Sequence, residues 1–173
     1  MIYEKVGGMP QDDKQAVTRY RKAAEQGDAD AQFILGLMYN LGRGGVPQNN
    51  QQAFIWTRKA AEQGHADAQF ILGNIHATGR GVPQDDKQAV SWYFEAAEQG
   101  HAKAQFILGL MYNLGKGVLK DYVKSYAWLN IAASQGDESA IEHRDIILSK
   151  MSPEQIEQGQ ALSREYFEKY GKK

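Results

Sequence analysis

The chain has no cysteine, which excludes a disulfide framework and thiolate chemistry. It has no excess of either charge, with 20 Lys and Arg against 21 Asp and Glu. Without a general positive field, nucleic acid and anionic membrane are poor partners. No apolar run approaches the ~20 residues that a membrane-spanning helix needs, so no membrane insertion is expected. The opening MIYEKVGGMPQ lacks the apolar core of a signal peptide. The chain therefore reads as soluble, and as cytoplasmic unless it is a processed form of a periplasmic or secreted protein. Hydrolase signatures are missing as well: there is no Gly-x-Ser-x-Gly and no Ser-x-x-Lys. What remains, 42% hydrophobic and 24% charged over 173 residues, is the composition of one ordinary soluble domain.

What the chain has in abundance is repetition. AAEQG occurs at Ala23, Ala60 and Ala96, and the variant AASQG at Ala132, giving offsets of 37, 36 and 36 residues. AQFILG follows at Ala31, Ala68 and Ala104, and a Gly-x-Gly turn at Gly42, Gly79 and Gly115. Self-similarity at this period marks a solenoid, whose units are too small to bury their apolar faces alone and stack to do so. Residues 8–17 (GMPQDDKQAV) nearly copy residues 81–90 (GVPQDDKQAV), so the chain is expected to open on the tail of a further unit.

Each unit reads as two helices. Asp12, Asn49, Asp85 and Asp121 are expected N-caps of the first, helix A, with Gln15, Gln52 and Gln88 three residues on as capping-box partners and Lys124 breaking the pattern. Ala16, Arg19, Tyr20, Ala23 and Ala24 fall on one helical face. The Arg19 position becomes Trp56, Trp92 and Trp128 in later units, which predicts a Trp-bearing core stripe. Gly27 ends helix A, and Asp28, His65, His101 or Asp137 caps helix B immediately afterwards. Gly36, Gly73 and Gly109 recur in the middle of helix B. A Gly there costs about 1 kcal/mol against Ala, so close approach of a neighbouring helix is expected to offset it. Pro47 and Pro83 prevent helix B from running on into the next unit. Ser152-Pro153-Glu154-Gln155 is a strong helix start, with Ile156, Gly159, Ser163, Tyr166, Phe167 and Tyr170 as the inner stripe of a closing helix. The expected organisation is one domain over 1–173, with repeats at about 12–48, 49–84, 85–120 and 121–150 and a cap over 153–170.

These strings resemble the Sel-1-like repeat family, relatives of the tetratricopeptide repeats. The third unit carries most of the pattern: Trp92-Tyr93, AAEQGHA from Ala96, then Leu108-Gly109 through Met111-Tyr112 to Gly117-Val118. Arg19, Thr57 and Ile75-His76 depart from it. The resemblance implies an all-α, right-handed solenoid of antiparallel helix pairs, used as a non-enzymatic scaffold for a protein or peptide partner. Cysteine-rich relatives have carried a β-lactam-binding or hydrolase label, an alternative that this chain's missing Cys and serine motif do not support. A structural, self-assembling role is the other alternative, since repeat ends can stack; otherwise a monomer is expected.

No cofactor or metal is expected. His65 and His101 follow the helix-A glycine, where capping explains them, and zinc needs three or four converging ligands. His76 replaces a Tyr of sister units and reads as a packed substitute. Gly79–Gln84 lacks the third Gly of a dinucleotide fingerprint, and Leu114-Gly115-Lys116-Gly117 lacks the phosphate-loop Ser or Thr; both read as turns. The remaining candidate is the inner wall, which the resemblance to tetratricopeptide arrays assigns to helix A. Its positions are Lys14, Gln51, Lys87 and Val123; Val17, Phe54, Val90 and Tyr126; Arg21, Arg58, Phe94 and Asn130. From these the partner-binding set is Lys14, Val17, Arg21, Phe54, Arg58, Lys87, Val90, Phe94, Tyr126 and Asn130. Val17, Val90 and Tyr126 read equally well as a wider core stripe.

Overall fold

The computed structural model describes residues 10–170, with side chains from residue 15 onward. Among the described residues there are nine helices and no strand: α1 (Pro10–Glu25), α2 (Ala29–Leu41), α3 (Asn50–Glu62), α4 (Ala66–Thr78), α5 (Asp86–Glu98), α6 (Ala102–Leu114), α7 (Tyr122–Ser134), α8 (Glu138–Leu148) and α9 (Pro153–Tyr170). Odd-numbered helices up to α7 are the A helices and the even-numbered ones the B helices. Each B helix packs on its own A helix, and α2, α4 and α6 pack still more extensively on the next one. A single layered core therefore runs through an all-α solenoid.

The caps explain where helices begin. Asn49, Asp85 and Asp121 accept from the backbone N–H of Gln52, Gln88 and Lys124. Asp28, His65, His101 and Asp137 do the same for Ala31, Ala68, Ala104 and Ala140. The full reciprocal box forms at Ser152 and Gln155, each donating its N–H to the other's side chain at 3.0 and 3.2 Å. One boundary differs from expectation: α1 starts at Pro10, so Asp12 lies inside the first turn; its side chain is outside the described residues. The A-to-B turn is made by glycines with φ of 82° to 97°, a backbone conformation that costs an L side chain about 1–2 kcal/mol.

The mid-helix glycines do mark close approach. A Cβ on Gly36 would lie 2.5 Å from Thr57 Oγ1, one on Gly73 2.6 Å from the Tyr93 ring, and one on Gly109 2.5 Å from Leu129 Cγ. Each contact joins a B helix to the A helix of the following unit. A second tie was not read from the sequence. Gln32, Gln69 and Gln105 are buried and donate to Ala24, Ala61 and Ala97 carbonyls of their own unit. They accept at 2.7 Å from Gln63, Gln99 and Gln135 of the next. The buried amides are thus satisfied by a chain of hydrogen bonds that crosses every unit boundary.

The core register of helix A departs from the expected one. The fully covered stripe is Ala53, Thr57, Ala60 and Ala61 in α3, and Ala89, Tyr93, Ala96 and Ala97 in α5. Trp56 and Trp92 are only half-buried, and Arg19 is exposed. The small residues let the B helix approach so closely that the residue after each Trp, Thr57 or Tyr93, takes the central position.

The closing helix also differs. It packs along α7, with its end touching α5, and makes no substantial contact with α8. A Cβ on Gly159 would meet the Tyr126 ring at 2.9 Å, and Asn130 donates to Ser163 Oγ at 2.7 Å. Both partners advance by four residues together, so α9 runs parallel to α7. Phe167, expected on the inner stripe, is 57% exposed, and α8 leaves Ile141 and Ile146 uncovered. The helix covers the A-helix side of the last unit.

Candidate partner-binding face

The ten candidate residues sort into two groups, with Lys14 apart, and a third group lies outside the ten. Val17 is 5% exposed and sits in a core cluster with Met38 and Val46. Tyr126 is 8% exposed, clustered with Leu129 and Met151, and overlain by α9 at Gly159. Asn130 is spent internally, donating to Ser163 and accepting from Arg144 Nη1 at 3.3 Å. Val17 and Tyr126 are corrected from surface to interior positions, because the stripe widens at Val17 and α9 lies over α7, and Asn130 is half-buried with its amide engaged. Lys14 lies outside the described side chains.

The second group stays at the surface. Phe54 and Phe94 are half-buried; each presents an edge-on aromatic contact, to His76 at 5.9 Å and to Trp128 at 5.7 Å. Val90 is half-buried, and a Cβ on Gly117 would lie 3.0 Å from its Cγ2. Arg21, Arg58 and Lys87 are exposed. Arg21 donates to the Tyr39 hydroxyl at 3.2 Å, and Arg58 pairs with Glu62 at 2.7 Å. Surface pairs of this kind contribute about 0–1 kcal/mol and yield readily to a ligand.

The third group was missed by sequence reasoning: Trp56 and Trp92. Assigned to the core, both leave part of the indole at the surface. Trp56 packs against the core cluster of Ala24, Ala31 and Leu35, and Trp92 against the one that includes Ala61, Ala68 and Leu72. Lys59 Nζ stands 4.3 Å over the Trp56 ring. The signal was available in the pairs Trp56-Thr57 and Trp92-Tyr93, only one member of which can point at the helix-B glycine. A face with indole, phenyl and guanidinium groups is suited to anchoring a protein chain.

The histidines serve packing. Nδ1 of His65 and of His101 accepts the cap hydrogen bond at 3.2 and 3.1 Å. Nε2 faces Asp30 at 3.4 Å and Asp67 at 3.2 Å, and the rings lie on Phe33 and Phe70. Burial holds the His101 imidazole below its ordinary range, with Asp67 opposing. His76 is lowered by burial too; its Nδ1 is buried without a hydrogen-bond partner among the described residues. Burial pushes the phenol of Tyr93 up to about 12, and its hydroxyl donates to Asn74 at 2.9 Å. Among the described residues no three His, Asp or Glu side chains are placed to hold a metal ion. The Lys116 turn is engaged by Asp86 at 3.3 Å. No described helix is long and apolar enough to cross a membrane. On the opposite, helix-B side, Phe33, Leu37, Phe70, Ile71, His101 and Lys103 border an open cleft of about 290 Å³.

Comparison with known proteins places this geometry. The Sel1 repeat family model matches residues 4–28, 29–65, 66–101 and 102–137. From residue 29 its units run from a B helix to the following A helix, the pairing that packs most extensively here. A Sel1 repeat protein from Oxalobacter formigenes is 41% identical with a TM-score of 0.69, over 74% of this chain and 96% of that one. A protective antigen of uropathogenic Escherichia coli with an SLR fold is 36% identical with a TM-score of 0.60, over 90% of this chain. This chain spans 41% of that antigen's length. Cysteine-rich protein B of Helicobacter pylori is 27% identical with a TM-score of 0.60, over 79% of this chain and 97% of that one. No curated protein matches the chain.

Proposed function

The chain belongs to the Sel1 repeat family, and we propose that it is a monomeric, non-enzymatic scaffold that binds a protein or peptide on the inner A-helix face of its first three units. Proteins of this family are generally protein-interaction scaffolds. The observation that carries the reading is that Phe54, Trp56, Trp92 and Phe94 on the A helices each keep part of their surface exposed, and that Arg21 and Arg58, also on A helices, are exposed. Apolar side chains of a partner segment would bury on the rings, and its carboxylates would face the arginines. Lys87 extends the basic edge, and Val90 adds apolar surface. Nothing about the face supplies a nucleophile beside a base, and no turnover of a reporter β-lactam is expected.

The test is capture of a partner on the immobilised full chain, followed by titration of the retained protein against variants. Phe54→Ala and Phe94→Ala should each weaken binding roughly tenfold or more, about 1.4 kcal/mol. Charge reversal at Arg21 or Arg58 should act on association rate and salt dependence. Lys103→Ala, at the lip of the outer cleft, is the control and should change nothing. Asn74 does not serve as one, because it accepts the Tyr93 hydroxyl. The reverse pattern, with Lys103 sensitive and the phenylalanines silent, would move the binding surface to the B helices.

A further inference from the structure

The solenoid contains one occupied example of its own inner face. At Trp128 the indole is 0% exposed, and what covers it is α9. Tyr166 lies against the ring at 4.5 Å, and Tyr170 stacks almost parallel to it at 5.8 Å and 17°. Burial, and after it the nearby Glu98 carboxylate, holds the Tyr170 phenol above its ordinary range, and Phe94 closes the edge of the indole at 5.7 Å. Ser163 meets Asn130, and Gly159 meets Tyr126. The seat is thus read by a helix carrying two aromatic side chains one turn apart, with small residues on the preceding turns.

Thirty-six residues earlier the same frame is uncovered. Trp92 stands for Trp128, Glu62 for Glu98, Arg58 for Phe94, Phe94 for Asn130 and Val90 for Tyr126. Trp92 packs against the core cluster that includes Ala61, Ala68 and Leu72, and Trp128 belongs to the equivalent cluster with Ala97, Ala104 and Leu108. In both units the Trp thus meets the core of the preceding helix pair, and the cover that α9 supplies at Trp128 is missing at Trp92. The frame at Trp56 is less open, because Lys59 lies over its ring; the corresponding residue at Trp92 is Glu95, which is exposed.

We propose that Trp92 is the docking seat for an amphipathic helix of a partner protein that presents two aromatic side chains one turn apart, as Tyr166 and Tyr170 are presented to Trp128. The inference rests on the inner-face reading above and specifies its ligand. The substitutions in the frame set the rest of the ligand. Phe94 in place of Asn130 asks for an apolar residue where α9 has Ser163. Val90 in place of Tyr126 leaves room for more than the hydrogen of Gly159. Glu62 accepts from a phenol, and Arg58, released from its exposed pair with Glu62, takes a carboxylate. The partner helix runs parallel to α5, as α9 runs parallel to α7.

The probe is a synthetic peptide of residues 152–170 carrying Ser163→Leu, titrated calorimetrically into the full chain. Binding is expected, weakened roughly tenfold by Trp92→Ala and little changed by Trp56→Ala. A peptide with Tyr166→Ala and Tyr170→Ala should not bind. Glu62→Ala, at an exposed position that leaves the fold intact, should weaken binding severalfold and provides a readout should Trp92→Ala fail to fold. Absence of binding, or binding indifferent to both Trp92→Ala and Glu62→Ala, overturns the proposal. So does a peptide-free dimer that Trp92→Ala dissolves, which would assign the seat to α9 of a second copy. If the peptide fails while Phe54→Ala and Phe94→Ala still release the captured partner, the helix seat falls and the inner-face scaffold stands. If the peptide binds at Trp92 while capture ignores the phenylalanines, the helix seat stands and the captured partner is assigned to another surface.

Discussion

Trp92 and Trp128 occupy the same position of the same helix in adjacent units, yet one is half-exposed and the other has no exposed surface. The core clusters beneath them are alike, each including alanines and a leucine of the preceding pair of helices. The difference comes largely from α9, which lays Tyr166 and Tyr170 over Trp128 and has no counterpart at Trp92, with Phe94 closing the edge of the Trp128 ring where Trp92 has Arg58. A repeat sequence therefore fixes what lies beneath a residue, while its exposure depends on whether something non-repetitive is placed on top. In this molecule that distinction separates the part that stabilises the fold from the part available to a partner.

The largest expected effect breaks the comparison directly. Trp128→Ala should cost about 3–5 kcal/mol, the range for a fully buried large side chain. Trp92→Ala should cost less, about 1–2 kcal/mol, since part of its surface is already in water. Urea unfolding of the two variants, followed by circular dichroism, measures both. Equal losses would mean that α9 contributes no burial at Trp128.

The helix pairs, their caps and the stacking of units were legible in the sequence because each rests on local chemistry repeated at fixed spacing. Asp28 and His101 cap as read, and Gly73 marks the close approach that it promised. The core register was less legible. Trp92 and Tyr93 are neighbours on the helix, both are apolar, and periodicity alone favours neither; the fit of the Tyr93 ring against Gly73 decides it. Non-local placements were not legible at all. Nothing in residues 153–170 says that the helix lies on α7 instead of α8, and so Tyr126 and Asn130 stood among surface candidates. The glutamine chain was hidden because Gln32 and Gln63 meet only after two units have stacked.

That chain gives the next effect. Gln105 donates to Ala97 and, at 3.4 Å, to the Tyr170 carbonyl of α9, while Gln69 has no bond to α9. Gln105→Leu should cost about 1–3 kcal/mol, the range for stranding buried partners, and more than Gln69→Leu in the same assay. A larger loss at Gln69 would show that the α9 bond adds nothing. The glycines come next. Gly73→Ala and Gly109→Ala push a methyl into Tyr93 and Leu129, an overpacking of about 1–3 kcal/mol offset by about 1 kcal/mol of helix propensity. Both should destabilise, and a gain in melting temperature at Gly73 would show that the Tyr93 ring swings aside freely.

The smallest effect compares two caps of the same turn, His101 and Asp137. Both accept the N–H three residues on, at 3.1 and 3.0 Å, but the histidine can lose this function to a proton. Protonation places a hydrogen on Nδ1, the atom that accepts from Ala104, and burial disfavours the cation. Asp67, facing Nε2 at 3.2 Å, favours the cation, and Lys103 opposes it; burial is the largest of these influences, so the folded imidazole titrates below its ordinary value. The unfolded chain then binds the proton more readily, and stability falls as pH drops below about 6.5. His101→Asn keeps a neutral cap acceptor without the titration. It should flatten the dependence of melting temperature on pH between about 5 and 7, the range around the unperturbed histidine, leaving the slope of the same sign that buried His76 contributes. An unchanged slope would mean that the cap survives protonation, with Asp67 outweighing the burial of the ring.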